Sequence, residues 1–434
     1  MKLELCFKRN GEKMNEEKII MHLDMDAFFA SCLQQKYPNL AHKPIVVAYN
    51  DRKSIVVTSS YEARKLGVKT AMPLYLAKKV SHHQIIRVDP EYDLFSDYSH
   101  QVFAFIKEEF TPLVEIASID ECYLDVTQQW KKYGTPRKMA IAIKTAIKKQ
   151  LGLSCSIGIS NTKFLAKMIG KEFKPNGIGT LNPLTLSTTL WLKPINQMYG
   201  IGPSLVKQMQ KLGIHKIKDL VFSDDQFLNA HFGKYSLELK KRALGRSSNQ
   251  VLIKHPDYKN ISNDLTLSKI IYEEEEFLDI LHQITLHVAK RAQKEKMVSK
   301  TVGLSVHYYW KNKNRENFDK AKHHSRKSRQ TQIDHYTNDA EEIYAHLVQI
   351  ALETIDFQKG VYLISVSLKD TININKVPYQ HQITQTSNLQ FNQLLSNSGL
   401  KRAKDIQAGQ GKLREQTKYI QRENIHFNKH QKTT

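Results

Sequence analysis

Residues 18–26, Lys-Ile-Ile-Met-His-Leu-Asp-Met-Asp, carry an apolar strand into two carboxylates. Residues 118–126 (SIDECYLDV) set a second acidic pair, Asp120-Glu121, inside another apolar run. An acid at the end of a buried strand loses hydration that an apolar residue would not miss, so both pairs need a reason. On the residues alone two readings stay open. The acids are solvated strand ends or helix caps, or they gather into a metal site, because Mg²⁺ takes hard oxygen ligands from carboxylates together with substrate phosphates. Asp24 and Asp26 share a strand face, whereas Asp120 and Glu121 point apart unless the chain turns between them. The spacing permits a common site without forcing one.

Working outward, residues 27–35 read as a helix that Pro38 ends. Residues 44–49 and 54–60 are apolar and β-branched around the turn Asn50-Asp51-Arg52-Lys53, which predicts a hairpin. Short helices follow at 61–66 and 74–79, and residues 92–110 put Leu94, Tyr98, Val102, Phe105 and Ile106 on one helical face. A strand pair at 114–126, a helix at 137–151, a strand at 154–159 and a helix at 162–169 complete an α+β sheet domain. Beyond Pro175-Asn176-Gly177 the texture turns to short helices, with Gly200-Ile201-Gly202 opening one of them. Residues 263–368 alternate helices (273–294, 339–354) with strands (302–309, 362–368), and the basic stretch 311–332 between them reads as a long loop or hairpin tip. From Thr371 on, Gln, Asn, Lys and Ser dominate, the composition of a disordered tail.

The chain has 434 residues, 65 Lys and Arg against 43 Asp and Glu, and a formal charge of +22. That surplus points to a polyanionic partner, nucleic acid first among them, but does not choose it. No run of about 18 apolar residues argues for a membrane span, and the charged start lacks a secretion signal's apolar core. Cys6, Cys32, Cys122 and Cys155 form no CxxC pair, which argues against structural zinc and for reduced thiols in a cytoplasmic protein.

Residues 21–31 (MHLDMDAFFAS), 58–73 (TSSYEARKLGVKTAMP), 118–126 (SIDECYLDV), 156–167 (SIGISNTKFLAK) and 174–177 (KPNG) together resemble the Y-family translesion DNA polymerases, nearest the bacterial DNA polymerase IV branch. The blocks come in that family's order over residues 17–370. The resemblance implies a right-hand polymerase of the α+β class. Its parts would be a ferredoxin-like palm (17–27 and 90–174), small fingers (28–89), a thumb with a helix-hairpin-helix (175–255) and a little finger (256–370). Residues 1–16 would be an N-terminal extension and 371–434 a basic tail.

The same resemblance assigns residues. Asp24, Asp120 and Glu121, with the Met25 backbone carbonyl, would hold two Mg²⁺ ions, while Asp26 is a neighbouring structural acid and Asp125 caps a turn. Phe29 would be the steric gate against a ribose 2′ hydroxyl. Tyr61, Arg64 and Lys163, with Thr58, would hold the incoming triphosphate, since an Arg fork and a Lys point charge both suit phosphate. Gly200 and Gly202 would bring backbone amides to a DNA phosphate, and Lys311, Lys313, Arg315, Arg326, Lys327 and Arg329 would lie along the template. Residues 385–391 (QTSNLQF) and 393–395 (QLL) imperfectly match a sliding-clamp peptide. The implied activity is nucleotidyl transfer to a primer 3′ end by a monomer, with low fidelity and no proofreading. A catalytically idle DNA-binding relative and a palm-type nucleotide cyclase are the alternatives. If Phe29 is the gate, Phe29→Ala admits ribonucleotides in a single-nucleotide incorporation assay; unchanged discrimination removes the assignment.

Overall fold

A computed structural model describes residues 18–51, 54–253, 257–309 and 325–377. Lys311, Lys313, Arg315, both clamp-like peptides and the first sixteen residues lie outside that range. The chain divides into two compact units, residues 1–255 and 256–434.

In the first unit β1 (Ile20–Met25) is buried on both faces for most of its length, so it belongs in the middle of a sheet. It pairs antiparallel with β6 (Glu121–Asp125) on one side and β7 (Cys155–Ser160) on the other, in a five-stranded order β5-β6-β1-β7-β8. The outer strands are β5 (Val114–Ile116) and β8 (Ile178–Thr180). Helices α1 (Phe28–Lys36), α4 (Tyr92–Glu109) and α5 (Pro136–Leu151) share its core, built on Leu23, Phe95, Ile106, Leu124, Ile143 and Ile157. Helix α5 shows how local chemistry sets the bounds: Thr135 accepts the Lys138 amide, Pro136 opens the first turn, and Gly152 ends it at φ 70°.

Inserted after α1 is a small three-stranded sheet ordered β3-β2-β4: β2 (Ile45–Val47), β3 (Thr58–Ser59) and β4 (Ile86–Val88). The expected hairpin is present as the antiparallel β2–β3 pair, and α2 (Tyr61–Lys65) and α3 (Leu74–Val80) close a separate little core over Val46, Val56 and Ala63. Helix α6 (Lys163–Glu172) crosses the sheet against β7. The approach is so close that a Cβ on Gly158 would sit 1.9 Å from the Ala166 carbonyl oxygen and 2.5 Å from the Gly170 nitrogen. The same helix donates Phe164, Leu165 and Met168 to a third core, shared with α7 (Pro203–Lys211), α8 (Ile217–Phe222), α9 (Asp225–Phe232) and α10 (Lys234–Ala243).

The second unit is an antiparallel sheet ordered β11-β10-β12-β9, with α11 (Glu274–Lys294) and α12 (Ala340–Thr354) packed on it around Phe277, Leu281, Ile284, Leu347 and Ile364. The strands are β9 (Asn260–Ile271), β10 (Met297–Tyr308), β11 (Arg326–Thr337) and β12 (Val361–Lys369). In chain order this is a split βαβ unit.

Two expectations need correction here. Of the stretch 311–332, read as a long loop or hairpin tip, residues 326–332 are strand, pairing antiparallel with β10 from His307↔Arg326 to Thr301↔Gln332. Its charged, exposed residues belong to a sheet edge, where the apolar alternation that marks a strand is replaced by charges that block further pairing. Order also extends past residue 370, because β13 (Ile372–Asn373) pairs with β10, and the Thr371 hydroxyl donates to the Tyr258 carbonyl. Gly158→Ala overpacks the α6–β7 contact and is expected to destabilise the protein by about 1–3 kcal/mol, read from the urea midpoint; a midpoint equal to that of the unaltered chain would show that α6 is free to move away.

Candidate active site

Asp24 stands one residue before the end of β1, directly across from Glu121 on β6 and from Ser156 on β7. The conflict between Asp120 and Glu121 is resolved by a turn. β6 starts at Glu121, while Asp120 lies just ahead of it, where the Ser118 hydroxyl donates to its Oδ1 at 2.6 Å. The Met25 N–H donates to the Asp120 carbonyl at 2.9 Å, tying the end of β1 to that turn. One sheet register therefore brings three carboxylates and the Met25 peptide to the same strand ends.

Cations face them. Lys167 of α6 donates to both Glu121 oxygens at 2.7 and 2.8 Å, and His22 Nε2 lies 3.2 Å from Oε2. The hydrogen bond from His22, helped by Lys167 and opposed by burial, holds the Glu121 carboxyl down at about 2. Lys174 forms an ion pair with Asp24. Even so, burial pushes the Asp24 carboxyl above its ordinary value, with the Asp120 charge adding to the shift against Lys174. A carboxylate strained in that way gains from more positive charge beside it. Donor atoms of His22, Asp24 and Glu121 all lie within 4.8 Å of one another, a spacing that fits one ion. The hard oxygens of Asp24, Asp120 and Glu121 suit Mg²⁺, whereas His22 already serves Glu121.

Next to the acids, Phe29 of α1 stacks on Phe95 (centroids 4.2 Å, planes 10° apart) and meets Tyr92 edge-on at 5.8 Å. The ring is fixed on two sides and half-buried, an aromatic wall rather than part of the closed core. The Tyr61 hydroxyl is buried with no hydrogen-bond partner among the described residues. Burial, then the Asp26 charge, push its phenol up to about 12, and the Asp24 charge reaches it too. Arg64, one turn further along α2, lies 4.7 Å over the Tyr61 ring, its Nε donating to the Ser59 carbonyl at 3.1 Å. Thr58 begins the neighbouring strand, opposite Val47. Tyr61, Arg64 and the Asp24 end of β1 thus border one polar space.

Lys163 is engaged by a carboxylate of the outer strand. Its ammonium donates to both oxygens of Glu115 on β5, at 2.9 and 3.1 Å, and the Leu252 N–H takes the same carboxylate at 2.7 Å. The cation beside Asp24 is instead Lys174, in the KPNG block, to which the sequence reading gave no role. That block was visible as a motif. Its lysine reaches Asp24 only through the fold of the turn after α6, which the order of residues along the chain does not reveal. Asp26 is buried and apart from the three carboxylates, and Asp125 sits at the far end of β6, accepting from the Thr127 amide and hydroxyl and from Lys18.

Gly200 (φ 94°) and Gly202 lead into α7, and Tyr235 donates to the Gly200 carbonyl at 3.0 Å. A Cβ on Gly200 would lie 2.7 Å from that tyrosine oxygen, so this glycine is required by its backbone and by space. In the second unit Arg326, Lys327 and Arg329 are exposed along the β11 edge. No helix among the described residues is long and apolar enough to cross a membrane.

The impB/mucB/samB family profile matches residues 23–171, and the profile of that family's C-terminal domain matches residues 258–383. DNA polymerase IV of Bacillus cereus is 36% identical over 295 residues, 67% of this chain and 70% of the relative. DNA polymerase IV 1 of Halalkalibacterium halodurans is 37% identical over 300 residues, 68% and 71% of the two chains. Among solved structures, a Y-family DNA polymerase chimera, Dbh-Dpo4(243-245)-Dbh, superposes with a TM-score of 0.70 at 25% identity, covering 82% of this chain and 99% of that one. With both family profiles, these polymerase relatives and the superposed Y-family structure in agreement, the chain belongs to the Y family of DNA polymerases.

Proposed function

We propose that this DNA-directed DNA polymerase of the translesion type extends a primer 3′ end from deoxynucleoside triphosphates at the Asp24–Asp120–Glu121 site. The observation that carries this reading is the meeting of three carboxylates and two lysines, Lys167 and Lys174, at the ends of two paired strands. Asp24, Asp120, Glu121 and the Met25 carbonyl would hold two Mg²⁺. Bound there, the ions would favour the ionised 3′ hydroxyl and neutralise charge on the α-phosphate and the departing pyrophosphate.

The chain's own residues do the rest by positioning. His22 and Lys167 keep Glu121 ionised and fixed in orientation. Lys174 offers an ammonium beside Asp24 for the triphosphate, and the Arg64 fork with the Tyr61 hydroxyl offers directed donors. Phe29, held in place by Phe95 and Tyr92, would stand against a ribose 2′ hydroxyl. Lys163 is replaced in this scheme by Lys174. The amides at Gly200 and Gly202, and Arg326, Lys327 and Arg329, would take primer–template phosphates, so binding weakens steeply with salt. We read the chain as a cytoplasmic monomer that reaches a sliding clamp through residues 385–391 or 393–395.

Primer extension on a template with an abasic site tests the reading. The unaltered chain extends past the lesion, and Asp120→Ala loses at least about 100-fold in rate, the scale of a lost electrostatic group at a reacting centre. Extension that persists in the variant would assign the activity elsewhere. Lys174→Ala is expected to raise KM for the nucleotide about 10- to 100-fold, the loss of a charge-assisted hydrogen bond, with Lys163→Ala near the unaltered value. The reverse pattern in steady-state kinetics would restore the triphosphate role to Lys163.

A further inference from the structure

The KPNG turn is built with more care than a connection between α6 and β8 requires. Asn176 sits at φ 55°, a left-handed conformation that asparagine accepts better than most residues. A Cβ on Gly177 would lie 1.9 Å from the Phe173 carbonyl oxygen, so only glycine fits there. The turn is then tied to Asp26, a carboxylate only 1% exposed. Asp26 Oδ2 accepts the Asn176 N–H at 2.8 Å, and Oδ1 accepts the Ser156 hydroxyl at 2.8 Å. Ser156 Oγ accepts the Gly177 N–H in turn, at 3.4 Å.

Asp26 has an ordinary alternative that it does not use. Helix α1 begins two residues later with Ala27 as its N-cap, and no side chain caps it. The carboxylate faces the turn instead, although it gives up hydration to do so. Lys174, three residues before Gly177, is the cation paired with Asp24, two residues before Asp26. One strand end thus holds both the base of the turn and the target of its lysine.

We propose that Asp26 is a positioning residue that anchors the 174–177 turn and so presents Lys174 to Asp24 and to the phosphates of the incoming nucleotide. This deepens the proposed function and rests on the assignment of Lys174 made there. Asp26 is not among the proposed metal ligands, and besides the turn its charge reaches the Tyr61 phenol. Its effect runs through the turn backbone, and the residues that share the work are Ser156, Asn176 and Gly177.

Single-nucleotide incorporation by the full chain, arranged as a double-mutant cycle, tests it. Asp26→Ala should raise KM for the nucleotide about 10-fold while kcat changes less than about 3-fold, and Asp26→Asn, which keeps an acceptor for the Asn176 amide, should recover most of the loss. In the Lys174→Ala background, Asp26→Ala should add less than about 2-fold, because the lysine it positions is gone. Ser156→Ala, which removes one support from Asp26 and from Gly177, should move KM in the same direction and show the same non-additivity; it carries the test if Asp26→Ala melts below the assay temperature. Penalties that multiply in full in the Lys174→Ala background, or that fall on kcat and leave KM alone, overturn the role of Asp26 and spare that of Lys174. A Lys174→Ala enzyme with an unaltered KM overturns both.

Discussion

The register between β1 and β6 is the constraint on which the rest depends. Side chains alternate with a period of two along a strand, so a slip of one residue would send Asp24 and Glu121 to the faces now filled by Leu23 and Cys122. The apolar positions prevent the slip. Met21, Leu23, Cys122 and Leu124 are fully buried against α4 and α5, and exposing them would lose far more than any acid could recover. The core thus fixes where the carboxylates stand, and carboxylates contribute nothing favourable to it in return. The cost of their burial, with some mutual repulsion added, is visible in the raised Asp24 carboxyl and is tolerated because the hydrophobic pattern has already decided the pairing.

Two lysines make that arrangement bearable before any substrate arrives. Lys167 lies along α6 and Lys174 in the turn that follows it, and each engages one acid. The helix can present Lys167 only because Gly158 and Gly170 let it lie almost against β7. Lys167 also lies 4.5 Å over the Tyr199 ring, in the segment that leads to Gly200 and Gly202. The acids, the helix that neutralises them and the glycine loop are therefore joined through side chains of one element.

Much of this was legible in the residues. The apolar strand ending in Asp24, the SIDE block and the hairpin of residues 44–60 all announced themselves, because each is a local pattern whose period or turn chemistry needs no distant partner. The pairing of Asp120 with Glu121 at one site was not legible, since it depends on a turn held by the Ser118 hydroxyl. Strand β11 was missed for the opposite reason to β1: an edge strand rich in Arg and Lys carries no apolar alternation, and only its ladder with β10 identifies it. Asp26 could be separated from the metal ligands by resemblance, but its real partners, the Asn176 amide and the Ser156 hydroxyl, lie 150 and 130 residues away.

The different partners of Lys163 and Lys174 show what spacing can and cannot tell. Lys163 and Lys167 are four residues apart and share a face of α6, so both look down on the sheet. They meet different strands. Lys167 reaches β6 and its Glu121, whereas Lys163 reaches β5, where Glu115 also holds the Leu252 amide near the end of the first unit. A helix at a fixed tilt across a sheet must divide its lysines in this way, and no count along the chain reveals which strand lies under which turn. Beyond the helix, the basic residue that meets the end of β1 is Lys174, paired with Asp24. Its position follows from the left-handed Asn176, the crowded Gly177 and the buried carboxylate beneath them, not from the lysine itself.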